Sequence, residues 1–116
     1  MKIRAGDKEV DATFVEFKTK FIDNYPALTR VYFNKEQMKM LGLEEGDLVT
    51  VFFMKNNKTL LSYNFYVKAE EGGLKFIEIP ALLTRALNLG TQHREALAFR
   101  TDYGLVFVLV RGDGDE

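Results

Sequence analysis

Few side chains in this sequence could do chemistry, and none is assembled for catalysis. His93 is the single histidine, and it sits in a polar loop beside Arg94 and Glu95. That setting reads as a solvated loop histidine, because a general base needs a proton donor held within hydrogen-bond reach. Ser62 lies in TLLSYNFYVKA with no nucleophile elbow around it. Glu44, Glu45 and Asp47 look like a metal cluster in composition alone. They read better as a solvated turn, with Gly46 supplying the unusual backbone angle. The nine glycines form neither G-x-G-x-x-G nor G-x-x-x-x-G-K-[ST], so no phosphate cradle is encoded in those forms. There is no cysteine, which removes disulfides and thiolate metal sites. The expectation is a chain that is not an enzyme and uses no cofactor and no metal.

Composition narrows the class. At 116 residues one domain is expected, and 47% hydrophobic residues can build a real core. Ten Phe and five Tyr with no Trp favour β structure. The net charge of −1 argues against a surface adapted throughout to nucleic acid. It leaves room for a local basic face. MKIRAGDKEV has no apolar leader core, and no apolar run reaches the roughly 18 residues of a membrane span. A cytoplasmic location is expected.

The elements that would position any site are organised around Thr29–Phe53, TRVYFNKEQMKMLGLEEGDLVTVFF. Arg30-Val31-Tyr32-Phe33 is β-branched and aromatic, which suits a half-buried strand. Asn34 stands where a helix N-cap would, and Glu36 suits the first turn. Met38 and Leu41 are spaced for one apolar helix face. Gly42 ends the helix by entering the left-handed region. Glu44 to Asp47 is a turn, and Leu48 to Phe53 a strongly apolar strand.

On either side the pattern continues. Met1 to Glu9 is polar and expected to fray. Val10 to Ile22 reads as one curved strand with a bulge, and Asp23 to Pro26 as a turn. Lys55-Asn56-Asn57-Lys58 is a hairpin turn, and Thr59 to Ala69 a single long strand. Phe76 to Ile79 is a strand, Pro80 opens a helix over Ala81 to Leu89, and Gly90 to Arg94 is a loop. Glu95 to Thr101 and Leu105 to Val110 are strands, and Arg111 to Glu116 is an acidic tail read as disordered.

The second half repeats the first. Leu41-Gly42-Leu43 falls on Leu87-Asn88-Leu89 at an offset of 46 residues. Asn34 then falls on Pro80, Val31 on Ile77 and Lys39 on Arg85. About two extra residues bring Leu97-Ala98-Phe99 onto Val49-Thr50-Val51. Residues 10–54 and 59–110 thus read as two ββαβ halves, the second with an extra final strand. Two such halves can close around a pseudo-twofold axis, which pairs the open edges that each would leave alone.

The string of strand, cap, short helix, L-G-L, acidic spacer, G-D and V-x-V resembles AbrB/SpoVT-type DNA-binding domains. It also resembles double-psi barrels such as the N-terminal domains of some AAA ATPases. The families are grouped as cradle-loop barrels, and the resemblance covers the central part of each half. It implies a mainly β, closed barrel of six to seven strands with two short helices. Double-psi, RIFT and swapped-hairpin topologies all share this element order. None of the active-site signatures of enzymatic members is present.

The resemblance also implies a site. Lys18 and Lys20 end the first strand. Arg30 falls where the family has the arginine of its G-R-V-x-I-P string, and Lys39 falls on a helical arginine. Lys68 and Arg85 correspond in the second half. Such a set could grip phosphates on one face of double-stranded DNA. The chain departs from the pattern at Met38, Thr84, Phe76 and Asn34, and the second half lacks the G-D turn. The expected function is a DNA-binding transcriptional regulator, monomer or homodimer. The alternative is a protein-binding adaptor barrel with Tyr25, Tyr32 and Tyr66 in contact.

Overall fold

The computed structural model describes residues 1–110. In chain order it has β1 Lys2–Ala5, β2 Lys8–Glu16, β3 Lys18–Ile22, β4 Tyr25–Phe33, α1 Lys35–Met40, β5 Leu48–Lys55 and β6 Lys58–Tyr66. Then follow β7 Lys68–Ala69, β8 Lys75–Ile79, α2 Ala81–Ala86, β9 Glu95–Thr101 and β10 Gly104–Val110. The strands form a six-stranded sheet, β1-β2-β9-β10-β5-β6, and a four-stranded sheet, β3-β4-β8-β7. All ladders are antiparallel except β10 on β5. Among the described residues no ladder closes either sheet on itself, so the expected closed barrel of six to seven strands is not seen as a single continuous cylinder. The acidic tail expected at 111–116 lies outside the described residues.

Three expectations are corrected by where backbone groups find partners. The N-terminal stretch does not fray: it folds back as β1, pairing Ile3 with Val10 and Ala5 with Lys8. Val10 to Ile22 is two strands, not one. The break is at Phe17, whose N–H donates to the Arg94 carbonyl at 2.8 Å. Thr59 to Ala69 is likewise broken at Val67, whose N–H donates to the Asp47 carbonyl and whose carbonyl accepts from Gly46. Each break lets one run of chain serve both sheets.

Local chemistry explains the helices. Asn34 accepts from the Gln37 N–H at 2.8 Å, and the Gln37 side chain accepts from the Asn34 N–H at 2.9 Å, forming a capping box. Gly42 follows the helix at φ +64°. Pro80 is the N-cap of α2 rather than its first helical residue, and gives no side-chain cap. The bonds around the two helices correspond one to one. Met38 N to Asn34 O matches Thr84 N to Pro80 O, and Leu43 N to Met38 O matches Leu89 N to Thr84 O. Asn88, at φ +55°, takes the place of Gly42.

One main core lies between the sheets. Val15, Val31, Phe33, Phe53, Ile77 and Phe107 are all essentially inaccessible to solvent. The Phe53 and Phe107 rings meet edge to face, 5.7 Å apart at 87°. Truncating such a ring costs about 3–5 kcal/mol. A smaller cluster, Ala12, Phe99 and Val106, lies on the outer face of the six-stranded sheet beneath β1. Among the described residues no helix is long and apolar enough to cross a membrane.

Candidate nucleic-acid interface

The four-stranded sheet places most of the basic set. Along β4, Thr29, Val31 and Phe33 are buried, so Arg30 and Tyr32 point to the other face. In register with them, Lys18 on β3 stands opposite Arg30, and Glu78 on β8 stands on its far side. The next row runs from Tyr32 through Phe76 to Lys68 on β7. Lys20 pairs with Leu28. Antiparallel partners share a face, so Lys18, Lys20, Arg30 and Lys68 lie together. Lys18, Lys20, Leu28, Arg30 and Tyr32 rim a shallow depression of about 600 Å³.

Arg30 is the most constrained of these cations. Its Nε donates to Glu78 Oε1 at 3.1 Å, and its Nη1 donates to Glu70 Oε2 at 3.3 Å and to the Tyr32 hydroxyl at 3.2 Å. Its guanidinium carbon lies 4.3 Å from the centre of the Phe76 ring. The Tyr32 hydroxyl and then Glu78 raise its pKa above the usual arginine value. Two carboxylates therefore neutralise the residue that the family pattern makes a phosphate contact. Phe76 stands at the position equivalent to Arg30 in the second half. It is a platform for that arginine rather than a vacant site.

The lysines differ. Lys18 lies 3.7 Å from Glu16, both well exposed, a geometry worth little in water. Lys20 and Lys68 are exposed and have no ion-pair partner among the described residues. Lys39 and Arg85 are not on this face. Lys39 is in the last turn of α1. Arg85 is in the last turn of α2, where its Nε donates to the Pro26 carbonyl at 2.9 Å and holds the β3–β4 hairpin. The six expected contacts therefore separate into a sheet group and a helix pair. Sequence reasoning missed Glu70 and Glu78, since a carboxylate 40 or 48 residues from Arg30 becomes its neighbour only through strand register.

Other candidates resolve as structure. His93 is buried, not solvated. Its Nδ1 lies 3.0 Å from the Val110 carbonyl and its Nε2 lies 3.3 Å from Lys55 Nζ. An ammonium can only donate, so Nε2 accepts and Nδ1–H donates to the carbonyl. Asp47 accepts from the Glu44 N–H at 2.9 Å, which makes the acidic stretch a turn. No metal-holding cluster is found among the described residues. Tyr25 and Tyr66 are exposed, whereas Tyr32 is half-buried at the Arg30 cluster. The β3–β4 turn has Asp23 at φ +50° and Asn24 at φ +67°, and Phe21, Ile22 and Tyr25 project around it.

No family model matches this chain, and no curated protein and no solved structure matches it.

Proposed function

We propose that this chain is a non-enzymatic DNA-binding protein acting in transcription regulation. Lys18, Lys20 and Lys68 take the phosphates, and Arg30 holds the sheet face that carries them. The observation behind this reading is the gathering of three exposed lysines on one sheet face, two of them without a carboxylate partner among the described residues. Phosphate contacts come first in this reading, with groove shape supplying preference. Lys39 and Arg85 are left as peripheral cations. A cytoplasmic location goes with it.

We infer further that the two sheets are the two sides of one internally duplicated cradle-loop barrel. Its support is topological. β2 passes into β3 through Phe17 alone, and β6 into β7 through Val67 alone. Val31 pairs with Ile77, its own equivalent, and Thr29–Ile79 is mirrored by Phe33–Lys75. Glu16–Glu95 corresponds to Leu48–Tyr66 in the same way, which makes the insertion after the second helix one residue rather than two.

The deciding experiment is fluorescence anisotropy on random duplex DNA at two salt concentrations. Binding that falls steeply with salt is the expected result, because neutralised phosphates release counterions. No binding at low salt removes the proposal. A second reading, a protein-binding adaptor, is favoured by the apolar hairpin tip Phe21, Ile22 and Tyr25. It would give partner binding with shallow salt dependence.

A further inference from the structure

The six-stranded sheet is bounded by β1 on one side and β6 on the other. β6 has nine residues and pairs in this sheet with β5 alone. Alternate residues of an antiparallel strand turn their N–H and C=O groups away from the partner. Among the described residues β6 therefore presents an unpaired row about 20 Å long, from Leu61 to Tyr66 beyond the register shift. Proteins usually blunt such edges with charge, proline or a bulge. β6 has one charge, Lys58, at its first residue, and no proline. The register shift at Phe53/Met54 lies at that same end. Leu48, Leu60, Tyr63 and Tyr66 beside the edge remain about half exposed.

The same chain shows how this kind of edge is covered. β2 holds the corresponding place in the first half, with Glu16 on Glu95 as Tyr66 is on Leu48. Its outer edge is occupied. β1 pairs with Lys8 to Asp11, and Gln37 Nε2 donates to the Phe14 carbonyl at 3.0 Å. On the β6 side Asn64 stands for Phe14 and Leu83 stands for Gln37. Leucine has no donor to offer, and among the described residues no strand takes the place of β1.

We propose that β6 pairs antiparallel with β6 of a second copy of this chain, forming a homodimer with one continuous sheet. The charge pattern selects this occupant. A twofold axis through the middle of β6 sets the two Lys58 ammonium groups at opposite ends of the seam, so no like charges oppose. A charged peptide would find one cation at one end and nothing else to read. Self-pairing also covers the half-exposed Leu60 and Tyr63 of both copies. The basic face on β3, β4, β8 and β7 stays open, so this assembly is independent of the DNA reading.

The test is sedimentation equilibrium of the full chain from low to high micromolar concentration. The expected mass is twice 13.3 kDa. Leu60→Lys with Ser62→Lys brings like charges together across the seam and should weaken association at least about tenfold, with circular dichroism unchanged and the concentration dependence of melting reduced. Single cysteines at Leu61, Ser62 and Tyr63 give a second measurement, because the native chain has none. One of them should cross-link rapidly on oxidation, since residues opposed across an antiparallel seam lie within disulfide reach. Monomer mass at every concentration, a dimer unaffected by the two lysines, or no cross-linking at any of the three positions overturns the proposal. So does a monomer that takes an extended peptide along β6, which would name a different occupant.

Discussion

Arg30 of β4 and Glu78 of β8 stand in register, and the guanidinium Nε reaches the carboxylate at 3.1 Å. The pair, with Glu70 and Tyr32, turns a candidate phosphate contact into an internal tie between β4, β8 and the turn that follows β7. Glu78→Gln should lower the melting temperature and modestly raise DNA affinity, because it frees positive charge. Arg30→Ala should lower the melting temperature while changing the salt slope of DNA binding less than loss of a lysine does. Folding raises the arginine pKa, so its contribution is complete below the unfolded value and is lost only as pH rises through the folded one. The tie should therefore be insensitive to pH near neutrality. Thermal melts and anisotropy titrations of the two variants check this.

Lys18→Ala, Lys20→Ala and Lys68→Ala should each weaken DNA binding at low salt. Each phosphate contact removed should reduce the slope of log affinity against log salt by about 0.9. Lys39→Ala and Arg85→Ala, which lie off the sheet face, should change the slope less. Equal effects of all five would place the binding surface elsewhere.

Thr84 is buried with Thr29, their hydroxyl oxygens 3.0 Å apart, and Thr19 lies 2.7 Å from Thr29. Thr84 Oγ1 also lies 3.2 Å from the Ile79 carbonyl, which can only accept. Thr84 is the donor in both contacts, so its one proton is shared between the Thr29 hydroxyl and the Ile79 carbonyl in a chain that links Thr19, Thr29, Thr84 and Ile79. Thr84→Val keeps the shape and breaks the chain in the middle. It should cost about 1–3 kcal/mol in denaturant unfolding, the range for a buried polar group left unsatisfied.

Gly42 and Gly104 both have positive φ, at +64° and +148°. A side chain on Gly42 meets open space, whereas one on Gly104 runs into the Thr50 carbonyl oxygen in the neighbouring strand. Gly42→Ala should cost about 1–2 kcal/mol, the penalty of the left-handed region. Gly104→Ala should cost clearly more, because backbone cannot move aside as a side chain can. Melting of the two variants side by side tests the ordering.

His93→Leu should destabilise by about 1–3 kcal/mol, since it leaves the Val110 carbonyl without its donor. It should leave DNA binding unchanged at temperatures where the variant is folded. A loss of DNA binding without a loss of stability would contradict its structural role.

What was legible in the sequence was local. Asn34, Gly42 and the hairpin turn at Asn56-Asn57 announce themselves through residue type: Asn34 by the side chain that caps the helix, the others by positive φ, which glycine and asparagine tolerate best. The offset relating Asn34 to Pro80 was equally readable. Contacts set by register were not. Nothing near Arg30 in the sequence points to Glu70 or Glu78, and nothing near His93 points to Val110. β1 was missed because Ile3 and Ala5 alone are too short a pattern to outweigh the polar residues around them. The breaks at Phe17 and Val67 were hidden because each is an apolar residue continuing an alternating run. Only the destination of its N–H shows that the ladder has changed.

Those two breaks have a consequence for how the chain is held together. β2 of the first half is completed by β9 of the second, and β6 of the second is completed by β5 of the first. β4 and β8 meet at the centre, and β10 is inserted between β9 and β5. Neither half has a finished sheet of its own. A chain nicked at Asn56-Asn57 would consist of two fragments, each supplying the strands the other lacks. Two separately made pieces, 1–56 and 57–116, would be expected to reconstitute the fold when mixed. The turn between them acts as a tether, and the grip lies in the exchange of strands.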